Sequence, residues 1–308
     1  MSTTRSELPL KDLPLKDLAQ KDLTLKDLTL RDLTLSKTIE DILVARNLRG
    51  MKTVQPHLQP GYCLRAAAIL RNCTGHVLIG TGFPVVDTFE TDGPVGTIAL
   101  YNALRTLGAK PIIVCGRPVS SALANKYTVH EIGVGDHDKR EQEALESLQR
   151  FQPQAVISIE RPGQCADGGY YNMRGEDISA RTACFDTYMN MSQCPTIAVG
   201  DGGNEIGMGK VSEALKELSI VPAVTSCDEL IVTDVSNWGA YGIISFLSIW
   251  NERDLLKEIN PLNILQYISE LGSVDGVTRI NECTEDGLPV TEGESVLREL
   301  RQVCGFEV

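Results

Sequence analysis

From His76 onward, short apolar runs rich in β-branched residues alternate with longer stretches of helical pattern, and this alternation constrains the fold more than any other feature of the chain. The runs are "HVLIGTGF" (76–83), "KPIIVCG" (110–116), "VHEIGV" (129–134), "AVISIERPG" (155–163), "PTIAVGDGG" (195–203) and "CDELIVTDVSN" (227–237). A helix is expected over 92–108, with Pro94 in its first turn and Gly108 as its stop. Others are expected around 138–151, 177–192, 207–218, 239–251, 261–271 and 291–304. Strands covered by helices on both faces read as continuous apolar runs. The fold class is therefore α/β, a Rossmann-like three-layer fold with a mainly parallel sheet.

The N-terminal region breaks this pattern. Residues 8–35 repeat with a period of five, "LPLKD LPLKD LAQKD LTLKD LTLRD LTLSK", which matches neither the 3.6 of a helix nor the 2 of a strand. Residues 1–37 are expected to form a repetitive, flexible or weakly helical arm, with a partner-binding or oligomer-swapping element as the alternative. Residues 38–308 then form the α/β domain, opening with a helix in "TIEDILVARNLRG" that Gly50 closes. Near the other end, "GSVDGVTRINECTEDGLP" carries two D-G signals, Asp275-Gly276 and Asp286-Gly287, and is expected to form a hairpin or an ordered loop.

Charge and cysteine content exclude several classes. The formal net charge is −12, and no basic patch is visible, which argues against nucleic acid and anionic membrane as partners. The nine cysteines are scattered with no C-x-x-C pair, as expected of idle thiols in a reducing compartment. Cys165 alone, just after "ERPGQ", is worth testing as a nucleophile. No secretory signal, transit peptide or membrane span is apparent, so cytoplasm is the default location. The expected partner is a small acidic amino acid, and homo-oligomerisation is left open.

Ligands of an open parallel sheet bind beyond the carboxyl ends of its strands. The first strand carries Thr81 and is followed by Glu90 and Asp92; the "AVISI" strand is followed by Glu160 and Arg161. After "TIAV" comes "GDGGNEIGMG", with Asp201, Gly202, Gly203, Asn204 and Glu205, and after "ELIV" come Asp234 and Asn237. Each has a structural alternative: Asp92 as a helix N-cap, Glu160 and Arg161 as a surface pair, Asp234 to Asn237 as turn and cap residues. Phosphate is the less favoured guest of the glycine-rich loop, because G-x-x-x-x-G-K-[ST] is absent and its two carboxylates would repel phosphate unless a metal intervened. The same oxygens suit an ammonium group or a hard cation, Mg²⁺ or Mn²⁺. His57, His76, His130 and His137 lie outside these loops.

Together "GTGFPV", "ETDGPVGTIAL", "SIERPG", "AVGDGGNEIGMG" and "SVDGVT" resemble the C-terminal domain of the D-glutamate cyclase family, over about residues 40 to 305. The resemblance implies dehydration of D-glutamate to 5-oxo-D-proline, a hydro-lyase reaction, and the mitochondrial matrix as the alternative location. Animal members carry a further hydro-lyase-like domain whose place is taken here by the repeat arm. On chemical grounds, Arg161 would clamp a substrate carboxylate, with Glu160, Asp234, Asn237 and Thr81 also in contact. Glu90, Asp92 and Asp201 would hold the ammonium or a divalent ion. Glu205 would be the general acid/base, and Asn204 with the N–H groups of Gly202 and Gly203 would polarise the oxyanion. The alternatives are a non-catalytic binding module for an amino acid or a partner, and a nucleotide-dependent α/β enzyme.

Overall fold

A computed structural model describes residues 29–307. The repeats before Thr29 lie outside the described residues, and with them most of the expected arm. The central sheet has six parallel strands, β1 (His76–Thr81), β2 (Lys110–Cys115), β3 (Val129–Glu131), β4 (Ala155–Ile159), β5 (Thr196–Gly200) and β6 (Glu229–Val232). Their spatial order is β3-β2-β1-β4-β5-β6, the order of doubly wound dinucleotide-binding sheets, with the direction of winding reversed between β1 and β4. Every residue of β4 and β5 is buried, in keeping with their unbroken apolar runs.

Seven longer helices flank the sheet: α1 (Leu30–Leu43), α2 (Tyr62–Leu70), α3 (Pro94–Thr106), α4 (Arg140–Phe151), α5 (Ser236–Trp250), α6 (Pro261–Glu270) and α7 (Val290–Val303). All fifteen residues of α5 are buried, and α1, α2, α3 and α7 pack around it. No helix among the described residues is long and apolar enough to cross a membrane. Asp286 and Gly287 adopt φ of 53° and 76° at a turn, which joins the short strands Thr284–Glu285 and Leu288–Pro289 into the expected hairpin.

Four local expectations are corrected. Helix α1 starts inside the repeat, at Leu30, where Thr29 and Asp32 form a capping box, so the fold reaches back past residue 38. Gly50 does not close α1, which ends at Leu43; with φ of 85° it instead starts the short helix Met51–Val54. The helix expected over 177–192 is only a turn at Ser179–Arg181 and a short helix, Asp186–Met191. The one expected over 207–218 is a 3₁₀ turn, Met208–Val211, followed by Ser212–Leu215.

Candidate functional site

The carboxyl ends of β1, β4 and β5 open beneath a cavity of about 510 Å³. Its floor is acidic: Glu90, Glu160, Asp201, Glu205 and Asp286 line it, and Asp92, 1% exposed, lies directly behind. Asp92, Glu160 and Asp201 each offer a carboxylate oxygen, and these oxygens all lie within 4.8 Å of one another.

Local structure fixes each group. Asp92 stands at the amino end of α5, accepting from Ser236 N (2.8 Å) and Asn237 N (2.7 Å). Asp201 accepts from the same Ser236 N at 3.1 Å. The Ser236 hydroxyl donates to Glu160 at 2.7 Å. Glu160 adopts φ of 45°, a left-handed conformation that costs a non-glycine residue about 1–3 kcal/mol and recurs at functional sites. Glu205 bends back on its own loop, where Gly202 N and Gly203 N donate to its two oxygens at 2.8 and 2.7 Å. The loop's glycines serve this fold: a Cβ on Gly207 would lie 2.2 Å from the Ala198 side chain, and one on Gly209 2.1 Å from Val224 O. The loop is close-packed on itself, and its N–H groups are held by its own acid.

The cation facing the floor is Arg49, from the turn after α1. Its Nη2 pairs with Asp201 at 2.6 Å and with Asp286. Burial, with neighbouring carboxylates adding to it, raises Glu90, Asp92 and Glu160 well above the ordinary carboxyl range. Asp201 is raised by burial even against Arg49, and Glu205 by burial against its backbone donors. For Asp286 burial is outweighed by Arg49, and its carboxyl lies below the ordinary value. Just behind, Glu285 is lifted by burial to about 7 while accepting from Asn237 Nδ2 at 2.8 Å. One guanidinium thus faces more carboxyl groups than it can neutralise, so the floor must take up protons or a further cation.

Several residues read from sequence stand elsewhere. The Arg161 guanidinium is turned under the sheet, donating to Thr81 O (2.6 Å) and to Ala183 O and lying over the Phe185 ring. It borders a separate cavity of about 230 Å³, and the guanidinium that faces the acidic floor is that of Arg49. Thr81, fully buried, turns its hydroxyl toward Gly93, where an added Cβ would lie 2.8 Å away. Asp234 accepts from Arg46 N (2.7 Å) and Leu48 N (3.3 Å) and so shapes the turn that carries Arg49. Asn237 accepts from Gly93 N (2.9 Å) and Gly96 N (2.6 Å), capping α3. These two α3 N–H groups are where a dinucleotide phosphate would sit in such a sheet, and they are already bonded. Gly202 and Gly203 spend their N–H groups on Glu205 and cannot polarise an oxyanion. Asn204 donates its amide to Tyr171 O (3.0 Å), which leaves its buried carbonyl oxygen without a partner at the cavity wall. Cys165 is buried, and burial lifts its thiol to about 11, which withholds the thiolate a nucleophile needs.

Arg49 and Glu285 carry no signal for the site in the sequence, and Asp286 is marked there only as part of a D-G turn. At the mouth of the cavity the balance of charge reverses, with Arg174, Arg181 and Arg279 on its border beside one carboxylate, Glu176, which pairs with Arg279 at 2.8 Å.

A model of the family described as D-glutamate cyclase-like, C-terminal, matches residues 39–301. The D-glutamate cyclase, mitochondrial, of Homo sapiens is 32% identical across 56% of this chain and 32% of its own length. The chain thus spans about a third of the length of that curated relative.

Proposed function

This chain belongs to the D-glutamate cyclase-like, C-terminal family, and on that premise we propose that it is a lyase that closes D-glutamate to 5-oxo-D-proline with loss of water. The observation that carries the reading is the division of charge in the cavity, carboxylates on the floor and arginines at the mouth. An amino dicarboxylate is divided in the same way. Its ammonium meets the floor acids and the unpartnered Asn204 carbonyl oxygen, and its carboxylates meet Arg49 and the mouth arginines.

Ring closure requires the ammonium group to lose two protons and the γ-carboxylate to take up two as one of its oxygens leaves as water. Glu205 takes the protons from the nitrogen in turn, and a floor acid kept protonated by burial, Glu160 foremost, passes one to the γ-carboxylate as the ring closes and, reprotonated from Glu205, a second to the departing oxygen. Asp92, Glu160 and Asp201 are the residues that would hold a divalent ion, since buried carboxylate oxygens in excess of the local positive charge suit a hard cation. Such an ion would supply Lewis-acid polarisation of the γ-carboxyl oxygen. Arg49 holds Asp201 and Asp286 in place and orients the carboxylate that approaches them.

The test is incubation of the purified chain with D- and L-glutamate, with and without Mn²⁺ or Mg²⁺, and chiral chromatography for 5-oxoproline. Product from the D-isomer supports the reading. Saturable binding of D-glutamate without product makes the chain an amino-acid-binding module instead.

A further inference from the structure

The cavity is larger than its polar floor requires. Its volume of about 510 Å³ falls in the range that encloses drug-sized ligands rather than a molecule of about ten non-hydrogen atoms such as glutamate. Between floor and mouth runs an apolar collar. Leu48, Val86, Met173 and Val277 all border the cavity and are 42%, 49%, 41% and 46% exposed, a concentration of exposed apolar surface that a small dicarboxylate does not use. Val86 holds φ of 52°, a conformation strained for a β-branched residue and natural to glycine or asparagine. An apolar side chain stands there at an energetic cost. Outside the collar, Arg174 and Arg181 donate to Val277 O (3.0 Å) and Val86 O. Neither forms an ion pair among the described residues.

We propose that the collar and these two arginines form a leaving-group subsite, and that the cavity accepts γ-D-glutamyl dipeptides with an apolar C-terminal residue, releasing that residue as 5-oxo-D-proline forms. The proposal rests on the reading above, in which the α-amino group lies on the acidic floor. The apolar side chain of the second residue covers the collar, and its carboxylate reaches Arg174 and Arg181. The chemistry favours such a substrate. A free γ-carboxylate repels the nucleophile and must expel oxide, whereas a γ-amide offers a neutral carbonyl. The α-nitrogen attacks the γ-carbon, the ring C–N bond forms and the exocyclic C–N bond breaks. The proton lost by the ring nitrogen passes through a floor carboxyl group to the departing amine. No water is formed and no co-reactant is consumed.

The test compares D-glutamate with γ-D-glutamyl-leucine on the full chain, following 5-oxoproline and free leucine by chromatography. The dipeptide is expected to show a kcat/KM at least tenfold above that of D-glutamate. Met173→Ser, Val277→Asp and Val86→Asn, all at exposed positions, should each lower the ratio of the two constants about tenfold. Turnover of D-glutamate without leucine release overturns the subsite and leaves the dehydration reading standing. Leucine release without turnover of D-glutamate supports the subsite and removes the dehydration. Inertness toward both overturns both, and a ratio unmoved by all three variants shows that the collar does not recognise the leaving group.

Discussion

Arg49 is the residue on which the candidate site's electrostatics turn. It is nearly buried and pairs with two carboxylates, and removing one member of such a network strands the others, typically at about 3–5 kcal/mol. Arg49→Met should therefore lose on the order of 3 kcal/mol in urea denaturation at pH 8. The loss should shrink at pH 5.5, because Asp201, whose carboxyl burial raises, gains protons more readily as pH falls. An equal loss at both pH values would show that packing, not charge, is what Arg49 supplies. Glu285 allows a sharper sign. Its carboxyl is raised from an ordinary 4.5 to about 7, so the protonated form is favoured in the folded state. The stability this gives is full below about 4.5 and is lost as pH rises through about 7. Glu285→Gln, which can still accept from Asn237, should flatten that part of the pH profile of Tm; an unchanged slope between pH 5 and 8 would rule Glu285 out as its source. Neither residue was legible in the sequence. Arg49 sits in "ARNLRG", where a basic residue near a helix end needs no further explanation, and Glu285 and Asp286 lie at a D-G turn signal that accounts for itself.

The contact between α3 and α5 carries the site's geometry at the level of elements. Asp92 caps α5 while Asn237 of α5 caps α3, and the two helices meet closely enough that a Cβ on Gly96 would lie 2.7 Å from Asn237 Cα. The obstacle is backbone, which cannot swing aside. Gly96→Ala should then cost about 1–3 kcal/mol, read by chemical denaturation, and should lower activity by shifting Asn237 and the Asp92 carboxylate with it. A variant as stable and active as the parent would mean that the crossing is looser than these distances imply. The strands were legible because each is a β-branched run buried on both faces, and α5 was legible because it is apolar all round. Helix α1 was hidden for the opposite reason. Its buried stripe includes Asp32, Ser36 and Glu40 beside Ile39 and Leu43, so counting leucines finds a period of five and misses the helical face. The polar members are buried with partners: Glu40 accepts from Gly61 N (3.0 Å) and Cys63 N (3.1 Å), and Leu64 N donates to Ser36 (3.1 Å), which together hold the start of α2. The helices expected over 177–192 and 207–218 shrink to Asp186–Met191 and Ser212–Leu215 because turns set by tertiary contacts interrupt the pattern.

At the scale of the whole molecule, a chain of net charge −12 gathers buried carboxylates at the rim of its sheet, where the amino ends of α3 and α5 only partly offset them. The sequence already delivered acids to that rim strand by strand, because strand ends in a parallel sheet converge whatever the loops between them do. It could not show that they would be shut away from water together. That enclosure sets the pH behaviour of the fold. The carboxyls of Glu90, Asp92, Glu160 and Asp201 are raised, burial being the largest cause in each, so their contribution to stability is greatest when they are protonated and is lost as pH rises. Thermal melts should accordingly fall between pH 5 and pH 8 in the absence of divalent ions. A cation that binds Asp92, Glu160 and Asp201 in the folded state alone would reverse the fall, by about 2.7 kcal/mol at a hundredfold excess over its Kd. The gain should be largest at pH 8 and fade toward pH 5, where protons compete for the same oxygens. Mn²⁺ and Mg²⁺ are the ions to titrate, and Asp92→Asn and Asp201→Asn should each abolish the gain. If the melting temperature is indifferent to both ions at pH 8 while D-glutamate raises it, the floor is a seat for an ammonium group and not for a divalent ion.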